Sequence, residues 1–267
     1  MNLDIKELRG GYGAKLVLDN VNFSIVDGSV VSIIGPNGSG KSTLLKMIGR
    51  VLRPLSGSII LDGASLADYQ TGDLAKMMAM LPQLHQAATS LTVEELVACG
   101  RFPHRRPFGF RCEQDRQAID TALAMTRLQS YRRHAVNTLS GGERQRAWIA
   151  MTLAQQPRLL LLDEPTTFLD VCCQLEILDL VRQLNRRHGV TVIMVLHDLN
   201  LAAACSDQMI MLKNGQIRHA GTPRGIMTEG NLREVFEIHA KITLSEHGVP
   251  SCQAIGPARN HDLPAQP

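Results

Sequence analysis

Val30-Val31-Ser32-Ile33-Ile34 runs directly into Gly35-Pro36-Asn37-Gly38-Ser39-Gly40-Lys41-Ser42-Thr43, and from there into Leu44-Leu45-Lys46-Met47-Ile48. An apolar run of strand length, a glycine turn that satisfies G-x-x-x-x-G-K-[ST] and a helical pattern together make a strand, loop and helix unit. Glycines let backbone N–H groups wrap a polyphosphate, and the start of a helix adds a positive dipole. Lys41 is placed to contact the outer phosphates and Ser42 to bind Mg²⁺. The ligand implied is a nucleotide.

Working outward, further apolar runs of strand length occur at Met77 to Leu81, Leu159 to Leu162, Val190 to Leu196 and Gln208 to Leu212, with helical patterns between them. Continuous apolar strands alternating with helices predict a parallel sheet covered on both faces. Four of these runs end in polar residues: the glycine loop, Gln83 after Leu81-Pro82, Asp163-Glu164 after Leu162, and His197-Asp198 after Leu196. Ligands of open parallel sheets bind beyond the carboxyl ends of the strands, so four strand ends aim at one crevice. There Asp163 suits a Mg²⁺ ligand and Glu164 a general base that orients an attacking water.

Short runs at Leu3 to Leu8, Val17-Leu18, Val21 to Val26 and Ser58 to Leu61, punctuated by Gly10-Gly11-Tyr12-Gly13 and Asp27-Gly28, predict a small antiparallel layer. Between Gln83 and Ser140 the β-branched runs vanish, and Val93 to Cys99 and Gln114 to Leu128 carry helical spacing, which predicts an inserted helical subdomain. A helix over 171–187 places Val171, Leu175, Leu178, Val181 and Leu184 on one face as core, with Gly189 as its C-terminal cap. Beyond Ser245 the chain turns Pro-rich and polar, which predicts a frayed tail.

A second candidate cradle lies at Leu139-Ser140-Gly141-Gly142-Glu143, at the head of an amphipathic helix. Ser140 and Glu143 make a capping box. The paired glycines cost a helix about 1 kcal/mol each, so a plain cap would not choose them. Bare N–H groups at a helix start form an anion site, yet one nucleotide needs only one such site.

Composition narrows the class. The 267 residues are 44% hydrophobic and 20% charged with net charge +3, a mild balance that gives no reason to expect a nucleic-acid partner. No apolar run approaches the roughly 18 residues that span a bilayer, and the start has no signal-peptide core, so a cytosolic chain is expected. The six cysteines show no CxxC pair, so free packing thiols are expected, with a redox pair at Cys172-Cys173 as the alternative. Arg101, His104, Arg105, Arg106 and Arg111 form a basic cluster that suits either membrane-subunit loops and lipid headgroups or plain solvated surface.

The order of Gly35 to Thr43, Gln83, Leu139 to Glu143, Asp163-Glu164, Asp170 and His197 resembles the nucleotide-binding subunit of ABC transporters over roughly residues 1 to 240. The resemblance implies a P-loop NTPase fold, α/β with an antiparallel β layer. It divides the chain into a core (1–84 and 157–240), a helical signature subdomain (85–156) and a C-terminal strand and tail (241–267). It implies that Tyr12 stacks on adenine and that Gln83 senses Mg²⁺ and couples to the membrane subunits. Ser140, Gly141 and Gly142 would bind the γ-phosphate of ATP held by a second copy. Asp170 would cross the dimer interface, and His197 would contact the γ-phosphate. Glu143 replaces the commoner glutamine, and Phe168 is bulkier than the residue often found there.

Thr166-Thr167-Phe168-Leu169-Asp170-Val171, Leu91 to Val97, Gly100 to His104 and His197-Asp198-Leu199-Asn200-Leu201-Ala202 are similar to the branch that serves ferric siderophore, ferric citrate, haem and cobalamin importers. The implied partners are transmembrane permease subunits, a second copy of the chain and, indirectly, a periplasmic substrate-binding protein. The implied place is the cytoplasmic face of a bacterial inner membrane. Two other classes stay open: a soluble ABC-type regulatory ATPase of translation or DNA repair, and a module that holds ATP without hydrolysing it. The first usually carries two cassettes or a long coiled-coil insert, and this chain has neither. Intact Lys41, Asp163, Glu164 and His197 argue against the second.

Overall fold

A computed structural model describes residues 1–83, 90–104 and 112–258. Two long strands, β1 (Leu3–Tyr12) and β2 (Lys15–Ile25), precede β3 (Val30–Ile34), which leads through the glycine loop into α1 (Lys41–Ile48). Then come β4 (Ser56–Leu61), β5 (Ala64–Ser65), α2 (Thr71–Met77) and β6 (Met78–Leu81), followed by the helices α3 (Val93–Cys99), α4 (Glu113–Met125) and α5 (Gly141–Ala154). The chain returns to strand at β7 (Leu159–Asp163) and continues through α6 (Val171–His188), β8 (Thr191–Val195), α7 (Leu199–Cys205), β9 (Gln208–Lys213) and β10 (Gln216–Gly221). It closes with α8 (Pro223–Ile226), α9 (Glu229–Phe236) and a hairpin of β11 (Ile238–Leu244) and β12 (Pro250–Pro257).

The central sheet has six strands in the order β10-β9-β3-β8-β7-β6, and all its pairings are parallel except β10 with β9. Its inner strands are buried on both faces, which is why they read as near-continuous apolar runs. Alternate residues serve two cores. Ile34, Leu160, Leu162, Val192 and Met194 pack under α3 to α7, whereas Val31, Ile33, Leu159, Leu161, Ile193 and Val195 pack against α1 and the antiparallel layer β2-β1-β4-β5. Each buried leucine or isoleucine contributes about 1.5–3 kcal/mol, and the two-sided burial fixes the register of every inner strand.

The expected antiparallel layer and helical insert are both present. Gly189 ends α6 in the left-handed conformation at φ 64 and its N–H donates to Asn185 O. Three expectations are corrected. The stripe on α6 is core only from Ile177 onward: Val171 and Leu175 are 71% and 53% exposed, and the buried residues of the helix begin at Ile177. The frayed tail expected after Ser245 does not hold for residues 250–257, which form β12 with Pro250 and Pro257 at its ends, where a missing N–H costs the ladder little, and residues 259–267 lie outside the described residues. Arg101 is not part of a basic surface: it is 4% exposed, donates to Asp115 Oδ1 at 2.8 Å and also to Ala154 O and Gln156 Oε1. His104 Nε2 lies 2.9 Å from Gln155 O, and Arg105, Arg106 and Arg111 lie outside the described residues. Among the described residues no helix is long and apolar enough to cross a membrane.

Candidate functional site

β3 delivers the glycine loop to the carboxyl edge of the sheet, and α1 starts at Lys41 behind Gly40, which takes φ 106. A Cβ at Gly40 would lie 2.7 Å from Leu18 Cδ2, so both the backbone conformation and the close approach require glycine. Lys41 folds back on the loop, its Nζ donating to Gly35 O at 2.9 Å and Pro36 O at 3.0 Å. Burial lowers the Lys41 pKa, against the pull of Glu164 and Asp163. Ser39 Oγ is buried in the loop without a hydrogen-bond partner.

β7 brings two carboxylates to the same edge. Asp163 Oδ1 accepts a hydrogen bond from Ser42 Oγ at 2.8 Å. Its pKa is raised, first by burial and also by neighbouring Glu164, while the Ser42 bond, Lys46 and Lys41 oppose the shift. Glu164 sits in a left-handed turn at φ 54, which rotates its carboxylate toward the ends of β6 and β8. Gln83 Nε2 donates to Glu164 Oε2 at 2.6 Å, Thr167 Oγ1 donates to the same oxygen at 3.1 Å, and His197 Nε2 lies 2.5 Å from Oε1. The polar residues expected at four strand ends thus converge on one carboxylate beside the glycine loop.

A cleft of about 480 Å³ opens there, lined among others by Asn37, Gly38, Gly40, Lys41, Ser42, Thr43 and Glu164. Tyr12, half exposed, forms its outer wall with Lys15, Leu16 and Val17, and Asn214 and Gly215 close one side. An aromatic face at the rim and bare N–H groups at the floor suit a planar base joined to a polyphosphate. Thr167 and the Asn214-Gly215 turn have no motif behind them. A hydroxyl three residues after a strand-end carboxylate was the one available signal for Thr167.

The second cradle stands elsewhere. Ser140 and Glu143 form the expected capping box: Ser140 N–H and Oγ both donate to Glu143 Oε2, at 2.9 and 2.7 Å, and Glu143 N–H donates to Ser140 Oγ at 3.3 Å. The Tyr131 hydroxyl bond, with those from Ser140, holds the Glu143 carboxyl down at about 2. Asp170 caps α6 by accepting from Cys173 N–H at 2.9 Å. The described residues lining the cleft do not include Ser140, Gly141, Gly142 or Asp170.

The two glycines differ. A Cβ at Gly142 would lie 2.4 Å from Cys173 Sγ, so tight packing of α5 on α6 explains it. A Cβ at Gly141 would meet only Leu169 Cδ2 at 3.7 Å, ordinary contact. Among the described residues no neighbour requires Gly141.

The cysteines are all free thiols. The Cys173 pKa is raised by its hydrogen bond to Asp170, by burial and by the Asp170 and Glu176 charges, which disfavours the thiolate that redox exchange needs.

Comparison with known proteins gives a consistent picture. Residues 18–167 match the ABC transporter family. The iron(3+)-hydroxamate import ATP-binding protein FhuC of Bacillus subtilis (strain 168) is 47% identical over 241 residues, covering 90% of each chain. A metal-chelate type ABC transporter solved in an inward-facing conformation superposes with TM-score 0.82 at 27% identity, over 95% of this chain and 96% of that one. The ATP-binding cassette MJ0796, a dimer in a post-hydrolysis state bound to ADP and Pi, superposes with TM-score 0.71 at 32% identity, over 84% and 99% of the two chains.

Proposed function

The chain belongs to the ABC transporter family, and we propose that it is the ATP-hydrolysing subunit that powers uptake of an iron chelate through membrane-embedded permease subunits. The observation that carries the catalytic part is the Glu164 carboxylate, held by Gln83, Thr167 and His197 next to the Lys41 loop. Adenine stacks on Tyr12, and the phosphates follow the N–H groups of residues 35–43 to Lys41. Lys41 then exchanges its two carbonyl partners for phosphate oxygens.

Ser42 Oγ and Asp163 Oδ1, 2.8 Å apart, offer the hard oxygen ligands that Mg²⁺ prefers, and the Gln83 side-chain oxygen is the third candidate. When bound, Mg²⁺ neutralises part of the charge on the outer phosphates. Glu164 accepts a proton from a water whose oxygen attacks the γ-phosphorus in line, and the bond to the β-phosphate oxygen breaks, leaving ADP and phosphate. His197, against Glu164, is in reach to hold a γ-phosphate oxygen.

The second cradle supports a stoichiometry. Gly141 costs helix stability and no neighbour among the described residues demands it, which fits a phosphate approaching from outside. Two copies then sandwich two ATP, each between the glycine loop of one and Ser140-Gly141-Gly142 of the other, with Asp170 at the seam. Closure and reopening of the sandwich drive the permease through its conformations at the cytoplasmic face of the membrane, and a periplasmic binding protein delivers the chelate. The iron-hydroxamate relative favours a ferric siderophore over haem or cobalamin. Two tests follow. Glu164→Gln should retain ATP and lose steady phosphate release, and a deletion strain should fail to grow on a ferric siderophore as sole iron source. Unimpaired turnover refutes the base, and unimpaired growth refutes the cargo.

A further inference from the structure

Asn200, part of the string after His197 that no catalytic role absorbs, is bonded to the C-terminal hairpin. Cys252 N–H donates to Asn200 Oδ1 at 2.6 Å, and Asn200 Nδ2 donates to Cys252 O at 3.1 Å. In an antiparallel pair alternate residues turn both backbone groups away from the partner strand. Cys252, opposite Ile242 on β11, is such a residue, and the Asn200 carboxamide meets it as a further peptide unit would. The side chain acts as one extra rung on β12.

What it holds matters for the site. α7 has seven residues, too short to be stable by itself, so its position is set by its neighbours. Ala202, Ala203 and Cys205 anchor its second half in the core, whereas the first turn has only half-buried Leu199 and Leu201 and exposed Asn200. Asp198 caps that turn by accepting from Leu201 N–H at 2.8 Å. The residue before the cap is His197, at 2.5 Å from Glu164. A continuous path of hydrogen bonds and one short helix thus runs from β12 to the candidate catalytic carboxylate.

We propose that Asn200 is a positioning residue: by stapling the β11–β12 hairpin to the first turn of α7, it sets where His197 meets Glu164. The C-terminal hairpin thereby acts on ATP turnover from outside the nucleotide cleft. This rests on the ATPase reading of the site, and its test is a double-mutant cycle in the assembled transporter. Asn200→Ala lowers kcat by about fivefold, the order expected for a lost hydrogen-bonded contact, and leaves the KM for ATP within about twofold. In a His197→Ala background, Asn200→Ala has no further effect. Cys252→Ala, which keeps the backbone groups of the staple, leaves kcat unchanged.

An equal loss in both backgrounds overturns the proposal, as does a Cys252→Ala loss matching that of Asn200→Ala, which would assign the effect to packing. Absence of ATP turnover by the wild-type transporter would instead remove the ATPase reading beneath it, so the two failures are distinguishable.

Discussion

Gly141 and Gly142 stand side by side in the sequence and have opposite reasons to be glycine. Ala at 142 would push its methyl to 2.4 Å from Cys173 Sγ and 3.2 Å from Cys173 Cβ. Gly142→Ala is expected to destabilise the chain by about 1–3 kcal/mol, the range for overpacking, and Cys173→Ala in the same chain to recover most of that. Chemical denaturation of the single and double variants reads both effects, and no recovery would show that the clash is not the cause. Gly141→Ala has room, so it should raise stability by up to about 1 kcal/mol through helix propensity while lowering hydrolysis. A variant with full phosphate release would leave Gly141 without a functional reason. Sequence alone could not separate the pair, because the difference lies in where Cys173 packs. Thr167 was hidden for a similar reason: its bond to Glu164 depends on the left-handed turns at Glu164 (φ 54) and Phe168 (φ 65), which have no glycine to announce them.

At the scale of elements, the parallel strands were legible because burial on both faces favours apolar residues almost throughout, and the helix starts because caps have short-range signatures. α5 opens as its Ser140 and Glu143 demand. The carboxyl of Glu143 is lowered from the usual 4.5 to about 2, by the Tyr131 hydrogen bond first and those of Ser140 next. A depressed folded-state value means that the carboxylate stabilises the fold above about pH 4.5 and that this contribution fades as pH falls toward 2. Wild type should therefore be more stable than Glu143→Gln at neutral pH, with the gap closing below about 4.5. A gap that stays constant from pH 7 to 3.5 contradicts this.

The contacts that sequence did not reveal are long-range and polar. Arg101 reaches Asp115, Ala154 and Gln156 across three segments, and β12 finds Asn200 on α7. Arg101 and Asp115 are each 5% exposed in their side chains, so Arg101→Ala strands a buried carboxylate and should cost about 3–5 kcal/mol in urea unfolding. A loss under 1 kcal/mol would show that water replaces the guanidinium.

The whole molecule carries its two candidate cradles on different elements, the loop after β3 and the head of α5. The nucleotide cleft was readable because its parts sit at strand ends of one sheet. The signature end was readable as chemistry but not as placement. Beside Asp170 stand Phe168 at 95% exposure and Val171 and Leu175 at the head of α6, an apolar group that a lone subunit leaves in water. Their position next to the proposed seam gives them a cover when two copies close.

Complementation between two defective subunits tests this arrangement. Lys41→Ala disables the glycine loop, and Gly141→Asp disables the second cradle with a carboxylate facing phosphate. Each homodimer should be inactive. Mixed dimers join the intact loop of one chain to the intact Ser140-Gly141-Gly142 of the other, so an equal mixture should recover roughly a quarter of wild-type ATP turnover, half the dimers being mixed with one whole site each. A mixture no more active than the sum of its inactive components would mean that both cradles serve a nucleotide within one chain.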